Sequence, residues 1–446
     1  MVFELEELPY FFVGWFYIKI LVIFVFDFNN SHIGFYLEKH SKEMERIKIK
    51  SVGPIIDVKI DLTKVNIFMG PQSSGKSTIA KIISYCQWVE KRYLVDGEYK
   101  YDVYEQLLEF HRLGENYFNN DSFFEYESDF VIIIYSGKKL NQKISKKNST
   151  KKYRKTKNIY IPSERNFVSS IPNLSKYKET NDNIMSFLYD WYSSKRNFVN
   201  RNSLEILNLG VKYYNNIDAD KDILKLRNGK EILLQEGSSG LQSVIPLVLI
   251  VEYLSNELYK SNNSLSIKEL DSIKMSLQNL LENNENSNKV KINDELLKFL
   301  VESDSSLKNW VEYKHTKFII EEPEQNLFPT TQQDLINYLF KTIVNNRRGH
   351  TLIITTHSPY ILYSINNCLM GHNILKEIDE DEKSNFKNIK SWINPKDVSI
   401  FEIKEGIIKS VKDIRTNTVT KHYFNEITKE IMDEYYNMLN FFNYEG

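Results

Sequence analysis

From Met44 onward, Ile47 and Ile49, then Ile56, Val58 and Ile60, alternate with polar residues. That two-residue period predicts two strands joined around Gly53-Pro54. Val65-Asn-Ile-Phe-Met69 is a short apolar run that leads into a glycine-rich loop. Beyond it, Ile79, Ala80, Ile82 and Ile83 share one side of a predicted helix over residues 77–90. Further strands are predicted at 130–135, 159–161, 317–320 and 351–354, the last two being buried runs. Arg227-Asn-Gly-Lys230 between two apolar segments is a hairpin signal of the Asn-Gly type. Residues 239–259 read as a long apolar helix, and 261–312 have the helical spacing of an inserted arm or lid. Val398, Ile400, Phe401 and Ile403 alternate around Glu405-Gly406, and helices are expected after Thr420. The pattern is α/β, without repeats or sustained heptads.

The start of the chain does not fit this pattern. Leu8 to Phe26 is a mostly aromatic and β-branched stretch whose only charge is Lys19. Its length could span a bilayer, but Pro9, the central lysine and the preceding Glu4, Glu6 and Glu7 argue against an anchor or signal peptide. Three readings stand: a translation start that belongs at Met44, a buried or partner-facing segment, or a membrane anchor. Composition adds bounds. A length of 446 residues suggests about three domains or subdomains. Apolar residues at 41% and charged residues at 26% exclude wholesale disorder, collagen and a polytopic membrane protein. The formal net charge of −1 leaves no global attraction to polyanions. Cys86 and Cys368 cannot build a disulfide framework and fit a reducing, cytoplasmic location.

The chemistry lies in the loops that follow the buried strands. Gly70-Pro-Gln72-Ser73-Ser74-Gly75-Lys76-Ser77-Thr78 satisfies the Walker A pattern between a strand and a helix, the context it requires. There the glycines let backbone N–H groups wrap phosphates, Lys76 reaches the β and γ oxygens, and the Ser77 hydroxyl ligates Mg²⁺. Phe318-Ile-Ile-Glu321-Glu322-Pro-Glu324 is an apolar strand ending in carboxylates. After a Walker A motif, Glu321 suits the metal's hydration shell and Glu322 suits polarising a water. His357, after the 351–354 strand, fits a γ-phosphate sensor. Ser239 and Gly240 open the long helix, and can be either an anion site or an ordinary N-cap. Arg165 contacts phosphate or pairs with an acid. The run 138–157 holds ten Lys or Arg and no acid. It is either a solvated hairpin or a track for a nucleic-acid backbone.

Together these residues resemble the ABC-type ATPase heads of the OLD-like group, and more loosely SMC-type ATPases. Glu321-Glu-Pro-Glu-Gln-Asn-Leu-Phe-Pro329 is similar to that family's Walker B and D-loop, Thr356-His357-Ser-Pro359 to its switch histidine, and Ser238-Ser-Gly-Leu-Gln242 to a degenerate signature motif. The resemblance implies a P-loop NTPase fold, an ABC-like head with an antiparallel β subdomain and an inserted helical arm. The head would run over residues 44–446, with a basic β insertion about 130–160 and a C-terminal α/β region about 368–446. It also implies ATP and Mg²⁺ as cofactors and a head-to-tail homodimer, in which Ser239 and Gly240 meet the γ-phosphate bound by the opposite subunit. The Mg²⁺-side acid is Glu321 where ABC transporters usually have Asp, and no Q-loop glutamine is evident, Gln87 lying on the Walker A helix. No carboxylate constellation of an OLD-type nuclease follows His357. The organisation is similar to stand-alone ATPases of bacterial anti-phage systems such as PARIS, Septu and some retrons. That implies a separately encoded effector, a nuclease or toxin. The alternative is a nucleic-acid-binding ATPase with DNA or RNA as partner.

Overall fold

A computed structural model describes residues 44–139, 141–171, 182–260, 313–420 and 422–442. The expected helical arm at 261–312 and the N-terminal 43 residues lie outside them. The described residues all belong to one compact unit, Met44–Gly446.

In chain order the strands are β1 Glu45–Val52, β2 Ile55–Leu62, β3 Val65–Met69, β4 Phe118–Glu127, β5 Val131–Ser136, β6 Asn141–Lys146 and β7 Thr156–Ile161. They continue as β8 Leu204–Glu205, β9 Lys212–Asn216, β10 Lys221–Lys225, β11 Glu231–Leu233, β12 His315–Glu321, β13 Thr351–Thr356, β14 Val398–Lys404 and β15 Ile407–Ser410. The longer helices are α1 Lys76–Asp96, α2 Asn183–Lys195, α3 Ser239–Ser255, α4 Pro329–Leu339, α5 Pro359–Ile374 and α6 Tyr423–Leu439.

Among the described residues, one sheet of eleven strands has the order β6-β5-β4-β1-β2-β15-β14-β3-β13-β12-β7. Its two halves differ in kind. β14, β3, β13, β12 and β7 run parallel, whereas β6, β5, β4, β1 and β2 are antiparallel. The burial patterns follow that division. β3 and β12 are buried along their whole lengths, as expected of parallel strands covered on both faces. β1 and β2 bury one side only. A second sheet, β11-β10-β9-β8, leads into the start of α3. The fold is mixed α/β, built on one large sheet that is parallel in one half and antiparallel in the other.

Several expectations need correction. β7, placed in the basic insertion, is a parallel strand of the main sheet beside β12. The C-terminal strands join the main sheet directly, since β14 pairs with β3. Ile56 points outward at 60% exposure while Ile55 is buried, so the alternation of β2 breaks between Ile55 and Val58, where the Ile56 and Asp57 N–H groups both donate to Gly406 O. β4 escapes a pattern reading because Asn119, Asn120 and Asp121 look like a turn. The Asn228-Gly229 turn is a longer one than a two-residue loop: Leu226 and Lys230 close it, with Gly229 left-handed at φ 82°. The apolar helix α3 is long enough with its 3₁₀ continuation to cross a membrane, yet Val244, Ile245 and the run Leu247–Val251 are fully buried in the core.

A buried ionic cluster fixes α1 to the sheet. Lys317 Nζ on β12 lies 2.6 Å from Glu45 Oε1 on β1 and 3.7 Å from Glu90 Oε2 on α1. Gln87 donates to Glu45 at 2.9 Å, and Tyr126 and Ser128 donate to Glu90. Gln87 is therefore a structural residue. Burial raises the Glu90 pKa. Burial pushes Glu45 the same way, but the Lys317 ammonium and its hydrogen bond hold that carboxyl low.

Candidate active site

Four buried strands end at one edge of the parallel half-sheet, and each delivers part of the site. β3 delivers the Walker A loop, β13 His357, β12 Glu321 and Glu322, and β7 the turn Pro162–Arg165. Met69 is in register with Thr356, Glu321 with Thr355, and Ile161 with Ile320. The carboxyl ends of strands in an open α/β sheet are where ligands bind.

The Walker A loop is bent by its own residues. Gly70 has φ 144°, and a Cβ there would sit 2.2 Å from the Ile403 carbonyl oxygen on β14, so only glycine fits. Gly75 is left-handed at φ 102° and Ser73 at φ 59°. Ser74 and Thr78 are buried, Ser77 is half-buried, and Gln72 and Ser73 are exposed. Lys76 Nζ donates to Gly70 O at 3.0 Å and to Pro71 O at 2.7 Å. Burial lowers the Lys76 pKa to about 8, against the attraction of Glu322, Glu324 and Glu321.

Across from the loop, the carboxylates occupy distinct environments. Glu321 is 5% exposed, and its Oε1 is buried without a hydrogen-bond partner. An orphaned carboxylate oxygen at a strand end fits a Mg²⁺ ligand, with Ser77 as the second protein oxygen. Among the described residues no group of three or more His, Cys, Asp or Glu could hold a metal. Phosphate oxygens and water would complete the shell, as is usual for this ion.

Glu322 sits at φ 41°, an uncommon backbone for a glutamate. Its N–H donates to Thr355 O at 2.9 Å. Its Oε1 lies 3.2 Å from His357 Nε2, and this contact, against burial, holds the Glu322 carboxyl below its usual range. Glu324 clamps the other side of the histidine. Its Oε1 accepts from the His357 backbone N–H at 2.6 Å and from Thr356 Oγ1 at 2.8 Å. Burial raises the Glu324 pKa. The arrangement can therefore bind a polyphosphate, hold Mg²⁺ on Glu321, and polarise a water with an ionised Glu322 oriented by His357.

Residues 311–362 match the AAA ATPase domain family. That span covers β12, the Glu321–Glu324 turn, α4, β13 and His357. No curated protein sequence matches the chain. Among solved structures, the SMC head domain from Thermotoga maritima matches at 10% identity and TM-score 0.35, over 82% of this chain and 98% of that one. The recombination mediator protein RecF of the RecFOR pathway matches at 12% identity and TM-score 0.30, over 83% and 100%. A dimeric bacterial ABC transporter cassette matches at 12% identity and TM-score 0.30, over 82% and 100%.

The remaining sequence candidates separate. Ser238 is the N-cap of α3, its Oγ accepting from Leu241 N at 3.4 Å, and Ser239 is exposed on the first turn. The N-cap is therefore Ser238 rather than Ser239. Arg165 neither pairs with an acid in a direct contact nor faces solvent. It is wholly buried, and its guanidinium donates to backbone carbonyls. The basic run divides too. Lys147 pairs with Glu127, Lys151 with Asp129 and Lys157 with Asp190, while Lys138, Lys139, Lys143 and Lys146 are exposed around the β5–β6 hairpin. Sequence reasoning missed the clamp by Glu324, although that residue stood in the motif. The signal was its place two residues after Glu322, in the turn that faces the end of β13.

Proposed function

We propose that the chain is a Mg²⁺-dependent ATPase of the ABC-like kind that works as a switch. Gly70–Thr78 bind the triphosphate, Ser77 and Glu321 hold the ion, Glu322 takes a proton from the attacking water, and His357 orients Glu322 and contacts the γ-phosphate. Bound Mg²⁺ would neutralise charge developing on the phosphoryl oxygens. Two copies meet head to tail, each offering Ser239 and Gly240 to the ATP on the other. The observation that carries this reading is the convergence of the Walker A loop, the unpartnered Glu321 oxygen and the Glu322–His357 pair at the ends of neighbouring parallel strands.

In the proposal, ATP closes the dimer and hydrolysis reopens it, gating a separately encoded nuclease or toxin in anti-phage defence, in the cytosol. Two free, buried cysteines are compatible with that compartment. The direct test is ATP-dependent dimerisation by sedimentation velocity, with Glu322→Gln expected to trap the dimer and Lys76→Ala to remain monomeric. A nucleic-acid-binding ATPase is the second reading, favoured by the exposed Lys138, Lys139, Lys143 and Lys146. It predicts turnover stimulated by DNA or RNA, lost when these four lysines become serine.

A further inference from the structure

Arg165 lies in the 3₁₀ turn Ser163–Asn166 after β7 and is 0% exposed. Its Nη1 donates to Glu321 O at 2.9 Å, and its Nη2 to Glu322 O at 3.0 Å and Pro323 O at 3.2 Å. Its Nε donates to Ser243 O on α3 at 3.1 Å. A planar guanidinium offers five donors in a fixed fork. Here the fork reads backbone, on two segments that the proposed ATPase uses for different purposes. One carries the strained Glu322, and the other begins with Ser239 and Gly240.

The α3 side of this contact is prepared by sequence. Pro246 inside the helix has no N–H for the carbonyl of Gln242, four residues earlier. Ser169 Oγ supplies the donor instead at 3.0 Å, and Ser170 Oγ donates to Gln242 Oε1 at 3.0 Å. The Glu322 side closes the loop. Asn326 Nδ2 donates to Ser243 Oγ at 3.0 Å, and a Cβ on Gly240 would lie 2.9 Å from Asn326 O. The turn 322–326 and the first turn of α3 are joined as one body, with the Arg165 fork between them.

We propose that Arg165 is the positioning residue that couples the state of Glu322 to the presentation of Ser239 and Gly240 to a second copy of the chain. The inference rests on the ATPase reading above. Loss of the fork leaves the Walker A loop intact, so nucleotide still binds. It releases the Glu322 backbone and lets α3 shift against the 322–326 turn, so binding no longer closes the dimer.

The experiment uses the full chain in a Glu322→Gln background, measuring binding of a fluorescent ATP analogue and ATP-dependent dimerisation by sedimentation. Adding Arg165→Lys, which keeps the charge and loses the fork, should leave nucleotide affinity nearly unchanged. ATP-dependent association should fall roughly 5–150-fold, the range of ordinary coupling energies. Asn326→Gly is the second variant. Glycine accepts the φ of 60° at that position, so only the side-chain link to Ser243 is lost. It should show the same split, and it decides the matter if Arg165→Lys does not fold. Undiminished dimerisation in the folded variants would overturn the coupling role, and so would parallel loss of nucleotide affinity and association. A Glu322→Gln parent that binds no ATP would instead overturn the ATPase reading.

Discussion

At the scale of single residues, the site works through protonation states set by neighbours. The His357 contact holds the Glu322 carboxyl low, so Glu322 is ionised at neutral pH. Removing it by His357→Ala raises the Glu322 pKa. The acid limb of the residual kcat/KM profile, which reports the free enzyme, should therefore move to higher pH. A limb that stays put would separate His357 from Glu322. Lys76 carries the opposite sign. Burial lowers its pKa to about 8, and a bound triphosphate raises it again. ATP binding should therefore take up a proton near pH 8 and weaken as pH rises above that value. Calorimetry in buffers of differing ionisation heat reads this directly. The bend of the 70–78 loop was legible from the Walker A spacing, because that spacing is itself a statement about backbone geometry. The role of Arg165 was not legible, because its partners are carbonyl groups, and every residue has one.

At the scale of elements, the parallel strands were readable where they are continuously apolar, as in β3 and β12, and where glycine or carboxylates end them. What failed was membership. In sequence β7 falls within the basic insertion and β14 within the C-terminal region, and only long-range pairing with β12 and β3 makes them part of the central sheet. The Lys317–Glu45–Glu90 cluster is another long-range feature, joining β12, β1 and α1. Lys317→Met would leave two acids buried without their cation, a loss of about 3–5 kcal/mol for breaking a buried pair from one side. The expected result is a clearly lowered melting temperature. An unchanged melting temperature would show that the cluster does not hold α1. Gly70→Ala should abolish nucleotide binding as well, since β14 occupies the space a side chain needs.

At the scale of the whole molecule, one sheet serves two tasks. Its parallel half ends in the proposed nucleotide site, and α1 packs across both halves, against β7, β13 and β12 as well as β1 and β5. Ser239 is exposed, which in the proposal leaves it free to meet the ATP held by a second copy. The central claim is that Glu322 activates water at a nucleotide site built on Lys76. Its most direct test is steady-state ATP turnover by the full chain with Mg²⁺, comparing wild type with Glu322→Gln. The account predicts phosphate release by the wild type and near-complete loss in Glu322→Gln, with ATP still bound and the dimer trapped. Equal turnover in the two proteins would contradict it.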